Sequence, residues 1–214
     1  MQARSGPIAW PGFLFIGGGV AMLLVGLWSG SRLITLVGLG MMGFFTYFFR
    51  DPERPITSEP AAIVSPADGR IIFLGQAQED QFLHQPMQRV SIFMNLFDVH
   101  VNRAPIAAQV KAMAYRPGQF VPANHPESSQ VNEQQSLWLE TESGQHLVMV
   151  QIAGVLARRI ITYVREHKQV QKGERVGLIC FGSRVDLYLP EEWTLSVKLG
   201  DRVKAGSSIL GRLS

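Results

Sequence analysis

The chain has 214 residues, which suits one globular domain with a small additional segment. Its formal net charge is +3, and it contains no dense basic run with interleaved aromatic residues, so we expect no nucleic-acid partner. The single cysteine, Cys180, excludes an internal disulfide and a cysteine-rich metal site.

The amino-terminal part is almost uncharged. Residues 1–49 contain only two charged side chains, Arg4 and Arg32, and normal charge density begins at Arg50. This shift in composition predicts a domain boundary. We therefore expect a membrane-associated segment over residues 1–50 and a separate globular domain over residues 51–214.

Two apolar runs fill the amino-terminal segment, over residues 11–28 and 33–49, with a short polar loop at 29–32. Each is close to the lower length limit for crossing a bilayer, about 17 residues. A signal peptide followed by a buried helix is the alternative, but a second apolar run follows at once and no clear small-x-small cleavage site occurs. The pattern favours a helical hairpin, whose helices would approach closely at glycines 17–19, 38, 40 and 43.

A hairpin places residue 1 and residues 50 onward on the same side of a membrane. Arg4, Arg50 and Arg54 flank that side, against Arg32 alone on the other. The positive-inside rule then predicts a cell-membrane protein in which residues 51–214 face the cytoplasm.

Short β-rich segments with glycine and proline punctuation follow residue 60. The predicted strands are 70–74, 89–94, 109–115, 136–141 and 146–152, and residues 155–166 are ambiguous between strand and helix but favour strand. A faint repeat over residues 170–177 and 197–206 resembles the hairpins of biotinyl and lipoyl carrier domains. The predicted fold is mainly β, a β-sandwich or barrel-sandwich-like catalytic domain with an N-terminal hydrophobic helical hairpin.

The Gly182-Ser183 pair lies between the two copies of that repeat. A serine that follows glycine at a tight turn can attack the carbonyl behind it, which converts the amide to an ester and allows the chain to break. If the ester eliminates, the serine becomes a ketone that caps the new fragment. The dipeptide alone does not identify this chemistry, because Gly30-Ser31 and Gly206-Ser207 also occur.

Four ordered blocks accompany the pair: 48–55 (FFRDPERP), 65–70 (SPADGR), 97–105 (FDVHVNRAP) and 181–184 (FGSR). Together they resemble the phosphatidylserine decarboxylase proenzymes, and most closely their short branch, which includes the archaetidylserine decarboxylase-like enzymes. The resemblance runs from about residue 48 to the C-terminus. It also includes 151–154 with 157–160, and 185–190.

The resemblance implies a self-cleaving enzyme that decarboxylates phosphatidylserine to phosphatidylethanolamine. Its cofactor would be pyruvate, present as a covalent pyruvoyl group made from Ser183 after cleavage at Gly182. The products of cleavage would be a large chain, 1–182, and a small chain, 183–214, held as a heterodimer. No metal is required, and the sequence leaves open a homo-oligomer and a diacyl or archaeal-type lipid backbone.

His100 is the predicted base, since imidazole titrates near neutrality. It follows an apolar strand, whereas the other four histidines stand in polar, loop-like contexts, and the resemblance assigns the chemistry to it. Asp68 occupies the aspartate position of the family's Asp-His-Ser relay and would orient the imidazole. Asp98 is the alternative, because in a strand it would share a face with His100.

One position departs from the longer branch of the family. That branch has a second histidine three residues after the first, where this chain has Arg103. Either His100 then serves both cleavage and decarboxylation, or Arg103 contacts the substrate. Asn102 and Arg103 are therefore the predicted substrate-binding residues.

Three other functions are less consistent with the sequence. A membrane-anchored barrel-sandwich carrier or binding module without catalysis needs a modifiable lysine in Met-Lys-Met or Asp-Lys-Ala, and neither occurs. A zinc peptidase of similar architecture needs paired histidines such as His-x-His, which are also absent. A pyruvoyl decarboxylase for a soluble amino acid would have no use for a membrane hairpin.

Overall fold

The computed structural model describes residues 6–155, 159–180 and 182–213. Arg4, Phe181 and residues 157–158, which entered the sequence predictions, lie outside the described residues. The chain forms two compact units, of which the first ends at Glu53 and the second begins at Arg54. The helices and strands are α1 (Gly12–Ser29), α2 (Arg32–Phe48), β1 (Ala62–Val64), β2 (Gly69–Glu79), β3 (Gln85–Met94), β4 (Val101–Arg103), β5 (Ala108–Arg116), α3 (Ser128–Val131), β6 (Gln134–Glu140), β7 (His146–Ile152), β8 (Ile160–Thr162), β9 (Gln169–Val170), β10 (Arg175–Ile179), β11 (Ser183–Leu189), β12 (Thr194–Leu195), β13 (Arg202–Val203) and β14 (Ile209–Arg212).

The first unit is an antiparallel pair of apolar helices. Helix α1 ends at Gly30, whose φ of 68° allows the left-handed conformation that closes a helix, and Ser31 caps α2 by accepting a hydrogen bond from the Ile34 N–H. With a mean hydropathy of 1.9 over 18 residues, α1 is long and apolar enough to cross a membrane. Large side chains such as Leu14 and Trp28 are exposed on its surface.

Glycines bring the two helices together, but only at some of the predicted positions. A Cβ atom on Gly19, Gly26 or Gly38 would lie 2.4–2.7 Å from a backbone nitrogen of the facing helix. At Gly17, Gly18, Gly40 and Gly43 no such atom lies within 4 Å, so the prediction was wrong there. Gly26, which the sequence analysis did not single out, is one of the contact positions.

The second unit is built from three sheets. An eight-stranded sheet has the order β13-β2-β3-β11-β7-β6-β5-β9, and two three-stranded sheets have the orders β1-β14-β12 and β4-β10-β8. The main core cluster contains side chains from all three, including Ile63, Val176 and Leu187. The prediction of a mainly β fold with an N-terminal helical hairpin is confirmed.

Strand β11 lies in the middle of the eight-stranded sheet. It pairs antiparallel with β3 from Ser183 to Leu189 and with β7 from Arg184 to Tyr188. Its side chains alternate, so that Val185 and Leu187 enter the main core while Arg184 and Asp186 lie on the opposite face. The strand that begins at the predicted cleavage site is therefore paired on both edges from Arg184 to Tyr188.

Most predicted strands are confirmed, whereas two expectations changed. Among the described residues of the segment 155–166, the strand is limited to β8, and residues 163–166 do not continue it. We also expected the Gly182-Ser183 bond to lie in a region rich in hairpins. Strands β10 and β11 instead belong to different sheets, so the chain changes sheet between Ile179 and Ser183.

Candidate active site

Gly182 and Ser183 form the junction between this crossover and the central sheet. Gly182 has a φ of 63°, in the left-handed region that side chains other than glycine rarely adopt. Ser183 is the first residue of β11 and is completely buried. Its hydroxyl lies 4.0 Å from the sulfur of Met94, the residue opposite it on β3. The serine hydroxyl is thus held in a water-excluded position beside its own peptide bond.

Gly154 makes room for the carbonyl group of Gly182. A Cβ atom at position 154 would lie 2.1 Å from the Gly182 carbonyl oxygen and 3.1 Å from its carbon. Any side chain there would overlap the carbonyl whose carbon Ser183 is predicted to attack. Gly154 follows the end of β7, so the strand that flanks β11 also delivers the residue that packs against this carbonyl.

His100 contacts the same glycine from its nitrogen side. The side chain is completely buried, its Nε2 lies 3.3 Å from the Gly182 N–H, and its Nδ1 lies 3.0 Å from the Asp98 carbonyl oxygen. A carbonyl can only accept and a backbone N–H can only donate, so these partners assign the proton to Nδ1. The Nε2 atom is then the unprotonated, basic nitrogen, and it faces Gly182.

Asp68 is anchored by a different set of contacts. Its Oδ2 forms an ion pair with Arg54 Nη2 at 2.7 Å, and its Oδ1 accepts a hydrogen bond from the Ala205 N–H at 2.7 Å. Burial raises the pKa of the Asp68 carboxyl; the Ala205 N–H and Arg54 oppose the rise, and the charge of Asp98 adds to it. The structure thus places the Asp68 carboxylate against Arg54 and Ala205.

Asp98 orients His100 through its backbone, not through its carboxylate. Its Oδ2 accepts a hydrogen bond from the Asn95 N–H at 2.9 Å, which closes the turn before β4. The carbonyl of the same residue then accepts from Nδ1 of His100. The sequence analysis considered Asp98 for its carboxylate, but the contact with His100 is made by the backbone carbonyl of Asp98.

Asn102 and Arg103, the predicted substrate-binding residues, are both buried and contact protein groups. Asn102 accepts a hydrogen bond from Gln151 Nε2 at 2.8 Å and donates to the sulfur of Met94 at 3.6 Å. Arg103 donates to the Gly173 carbonyl oxygen at 3.0 Å. Asn102 and Ser183 therefore contact the sulfur of the same methionine, and direct contact of Asn102 or Arg103 with substrate stays a prediction.

Sequence reasoning missed Gly154, Met94, Gln151 and Arg54 as parts of the site. Gly154 and Gln151 lie in the 151–154 block, and Arg54 in the 48–55 block, so the resemblance contained a signal for three of them. Met94 had no such signal. The one thiol, Cys180, is buried, and burial raises its pKa to about 11, so it is protonated at neutral pH and is a poor nucleophile.

Comparison with known proteins gives a consistent result. A family model described as phosphatidylserine decarboxylase matches residues 41–211. A phosphatidylserine decarboxylase proenzyme of Desulfotalea psychrophila is 45% identical over 207 residues, 97% of each chain. Proteins of the same name from Syntrophotalea carbinolica and Geotalea daltonii are each 43% identical, over 100% and 99% of both chains, respectively.

The contact between Gly154 and the Gly182 carbonyl leads to a prediction about self-cleavage. Gly154→Ala places a methyl group where the carbonyl oxygen lies, so we expect an uncut chain without activity, as judged by gel electrophoresis. Gly75→Ala is the control, because there the nearest atom is 3.6 Å away and the chain should be cut like the wild type. Cleavage of Gly154→Ala at the wild-type rate would show that this contact does not matter.

Proposed function

The chain belongs to the phosphatidylserine decarboxylase family, and we propose that it cuts itself between Gly182 and Ser183 and then decarboxylates phosphatidylserine to phosphatidylethanolamine. It is an enzyme, made as a proenzyme, with a lipid substrate. The observation that carries the proposal is the arrangement around Gly182. His100 meets its N–H, Gly154 meets its carbonyl oxygen, and the buried Ser183 follows it.

In the first proposed step, Ser183 Oγ attacks the carbonyl carbon of Gly182. His100 Nε2 accepts the hydroxyl proton and delivers it to the Ser183 nitrogen as the C–N bond breaks, which leaves an ester and a free amine. Since Nε2 accepts from the Gly182 N–H before reaction, the imidazole must exchange that partner for the hydroxyl. The negative charge develops on the carbonyl oxygen that lies against Gly154.

In the second step the ester eliminates. A base removes the Cα proton of Ser183, the electron pair forms the Cα–Cβ double bond, and Gly182 leaves as a carboxylate. Addition of one water molecule and loss of one ammonia then convert the residue to a ketone. The surroundings of residue 183 fit a pyruvoyl group. The group would occupy the space beside Met94 that the serine side chain fills, and Gly154 has no side chain that would overlap it.

Such a ketone at position 183 would supply an electron sink for the loss of carbon dioxide from the substrate. The surrounding residues then exclude water and transfer protons. Because Ser183 and His100 are both completely buried, the reacting carbon would be shielded from solvent. His100 Nε2 would return a proton to the carbon that lost the carboxyl group.

We assign Asp68 an electrostatic role in this relay. When His100 accepts a proton it becomes positively charged, and a nearby buried carboxylate stabilises that charge. Asp68 is fixed by Arg54 and Ala205 and interacts with the charge of Asp98, whose carbonyl binds His100 Nδ1. Its contribution should therefore be smaller than that of His100 itself.

We further propose that the products of cleavage, residues 1–182 and 183–214, stay together as a heterodimer. Strand β11 would be the first strand of the small chain, and it pairs with β3 and β7 of the large chain along its length. The small chain also contributes β14, which pairs with β1. A homo-oligomer of this heterodimer stays a prediction.

The apolar helix pair would hold the enzyme at the membrane that contains its substrate. Helix α1 is long and apolar enough to cross a bilayer, and α2 is a shorter apolar helix. The positive-inside argument then places the second unit on the cytoplasmic side.

Substitutions at the three proposed catalytic residues should differ in their effects. Ser183→Ala should give one uncut, inactive chain, because the nucleophile is lost. His100→Ala should slow cleavage about a hundredfold or more, and Asp68→Ala by about tenfold, because only His100 transfers the proton directly. A time course of cleavage on gels and the release of carbon dioxide from phosphatidylserine measure both effects.

Two controls match these variants. His84→Asn removes a histidine that has no assigned role, and asparagine tolerates the φ of 51° at that position. Asp80→Ala removes an exposed carboxylate. Both variants should be cut and should decarboxylate the lipid like the wild type. If an uncut wild-type chain decarboxylates the lipid at full rate, or requires added pyridoxal phosphate, the proposed mechanism is wrong.

Membrane attachment gives a separate prediction. A protein that lacks residues 1–49 should stay in the supernatant after membranes are sedimented, yet it should still cut itself, because the residues assigned to cleavage all lie in the second unit. The full-length protein is the control. Equal sedimentation of the two proteins with membranes would contradict the role given to the helix pair.

A further inference from the structure

Arg184, the residue directly after Ser183, is an arginine that the proposed reaction does not use. Only 3% of its surface is exposed, and strand alternation turns it to the face of β11 opposite the core that receives Val185. Burial of an arginine is costly unless its donors are matched by acceptors. The partners of this side chain therefore indicate what it stabilises.

The guanidinium group of Arg184 joins two parts of the molecule. Its Nη1 donates to the carbonyl oxygens of Ala123 at 3.1 Å and His125 at 3.3 Å. Its Nη2 donates to the Ser129 hydroxyl and to Asp186 Oδ2, the latter at 3.0 Å. Its Nε lies 2.8 Å from Asp186 Oδ1, as a charge contact without hydrogen-bond alignment.

Three of these partners belong to one segment, residues 121–132, which we call the clamp loop. Its end is fixed by Asn132, whose side chain bonds the N–H and the carbonyl of Val121 and also the Ala153 carbonyl oxygen at 2.7 Å. The Cβ of Ala123 lies 3.3 Å from where a Cβ of Gly154 would be. The clamp loop thus packs beside the glycine that faces the Gly182 carbonyl.

Cleavage would change what holds residue 183. Before cleavage it is tethered through Gly182, but afterwards it becomes the end of the small chain, and chain ends fray unless they are tied down. On the β3 side Ser183 still pairs with Met94, whereas on the β7 side the ladder begins only at Arg184. The side chain of Arg184 is the next anchor along the small chain.

We propose that Arg184 is a positioning residue that fixes the reactive end of the small chain to the clamp loop of the large chain once the Gly182-Ser183 bond is broken. The inference rests on the proposed function, since it matters only if that bond breaks. Its bonds to Ala123, His125 and Ser129 would link the two new chains within one residue of the ketone. They would keep the ketone in line with His100 without touching the substrate.

The geometry favours arginine over lysine at this position. The planar guanidinium presents several donors in fixed directions, so one side chain can bond two loop carbonyls, a hydroxyl and a carboxylate together. A lysine at this position would still place a positive charge beside Asp186. Its three N–H donors, however, are all on one nitrogen atom, so they cannot reach all the acceptors that the guanidinium reaches. Lysine would keep only part of this connection.

The test compares Arg184→Met, Arg184→Lys and the control Arg202→Met, an exposed arginine of the same chain. Intact mass first establishes the fraction of each protein that is cut, and kcat and KM are then measured on cut protein with phosphatidylserine in detergent micelles. A displaced ketone slows chemistry, so Arg184→Met should lose about tenfold or more in kcat. Its KM should stay within about twofold, because no substrate contact is removed. Arg184→Lys should be intermediate, and Arg202→Met should match the wild type.

Cut Arg184→Met with a wild-type kcat, or with a change in KM alone, would overturn the proposal. If Arg184→Met does not fold or is not cut, the test uses Ser129→Ala and Arg184→Lys instead. Each variant removes part of the hydrogen bonding between residue 184 and the clamp loop. Each also keeps a positive charge at position 184 beside Asp186. Wild-type kcat in both would also overturn it. An uncut wild type would instead refute self-cleavage itself, so the two failures are distinguishable.

Discussion

The active site depends on how the backbone of Gly182 is held. Its φ of 63° turns the chain as it leaves one sheet for another, its N–H meets His100, and its carbonyl packs against Gly154. The two contacts come from separate parts of the chain, and each fixes a different atom of the same residue. A peptide group fixed in this way needs little reorganisation before a neighbouring hydroxyl attacks it.

The position of this residue in the fold explains how a chain break could be tolerated. Cleavage after Gly182 would cut a connection between sheets, whereas the strand that follows is central and pairs on both edges. Side chains of β11 such as Val185 and Leu187 are completely buried in the main core, and each stabilises the fold by about 1.5–3 kcal/mol. If the bond after Gly182 is broken, these contacts would keep residues 183–214 in place.

Much of the architecture could be predicted from the sequence, because its signals are local. Near-absence of charge before Arg50 indicated the helix pair, and alternation in segments such as 146–152 indicated strands. Pairing between distant strands is not local, so the crossover before Ser183 was not foreseen. The same limit applies to Gly154, whose role arises from a contact with a residue far along the chain, and to Gly26, which only the helix register places at the contact.

Residue type alone was also a poor guide to how some site residues act. Asp98 was considered for its carboxylate, but its backbone carbonyl is what binds His100, and every residue has such a group. Asp68 carries the carboxylate of the family motif, yet its two oxygens are held by Arg54 and Ala205. The family resemblance located these residues, and only the structure gave their partners.

The central claim is that Gly182 and Ser183 are separated and that the serine becomes a ketone. Intact mass of the purified wild-type protein under denaturing conditions tests it most directly. The account predicts two chains, 1–182 and 183–214, with the smaller one lighter than the serine-initiated peptide by the mass of one ammonia, and closed to sequencing from its N-terminus. A single chain of 214 residues in fully active protein would contradict it, as would a small chain that begins with an unmodified serine.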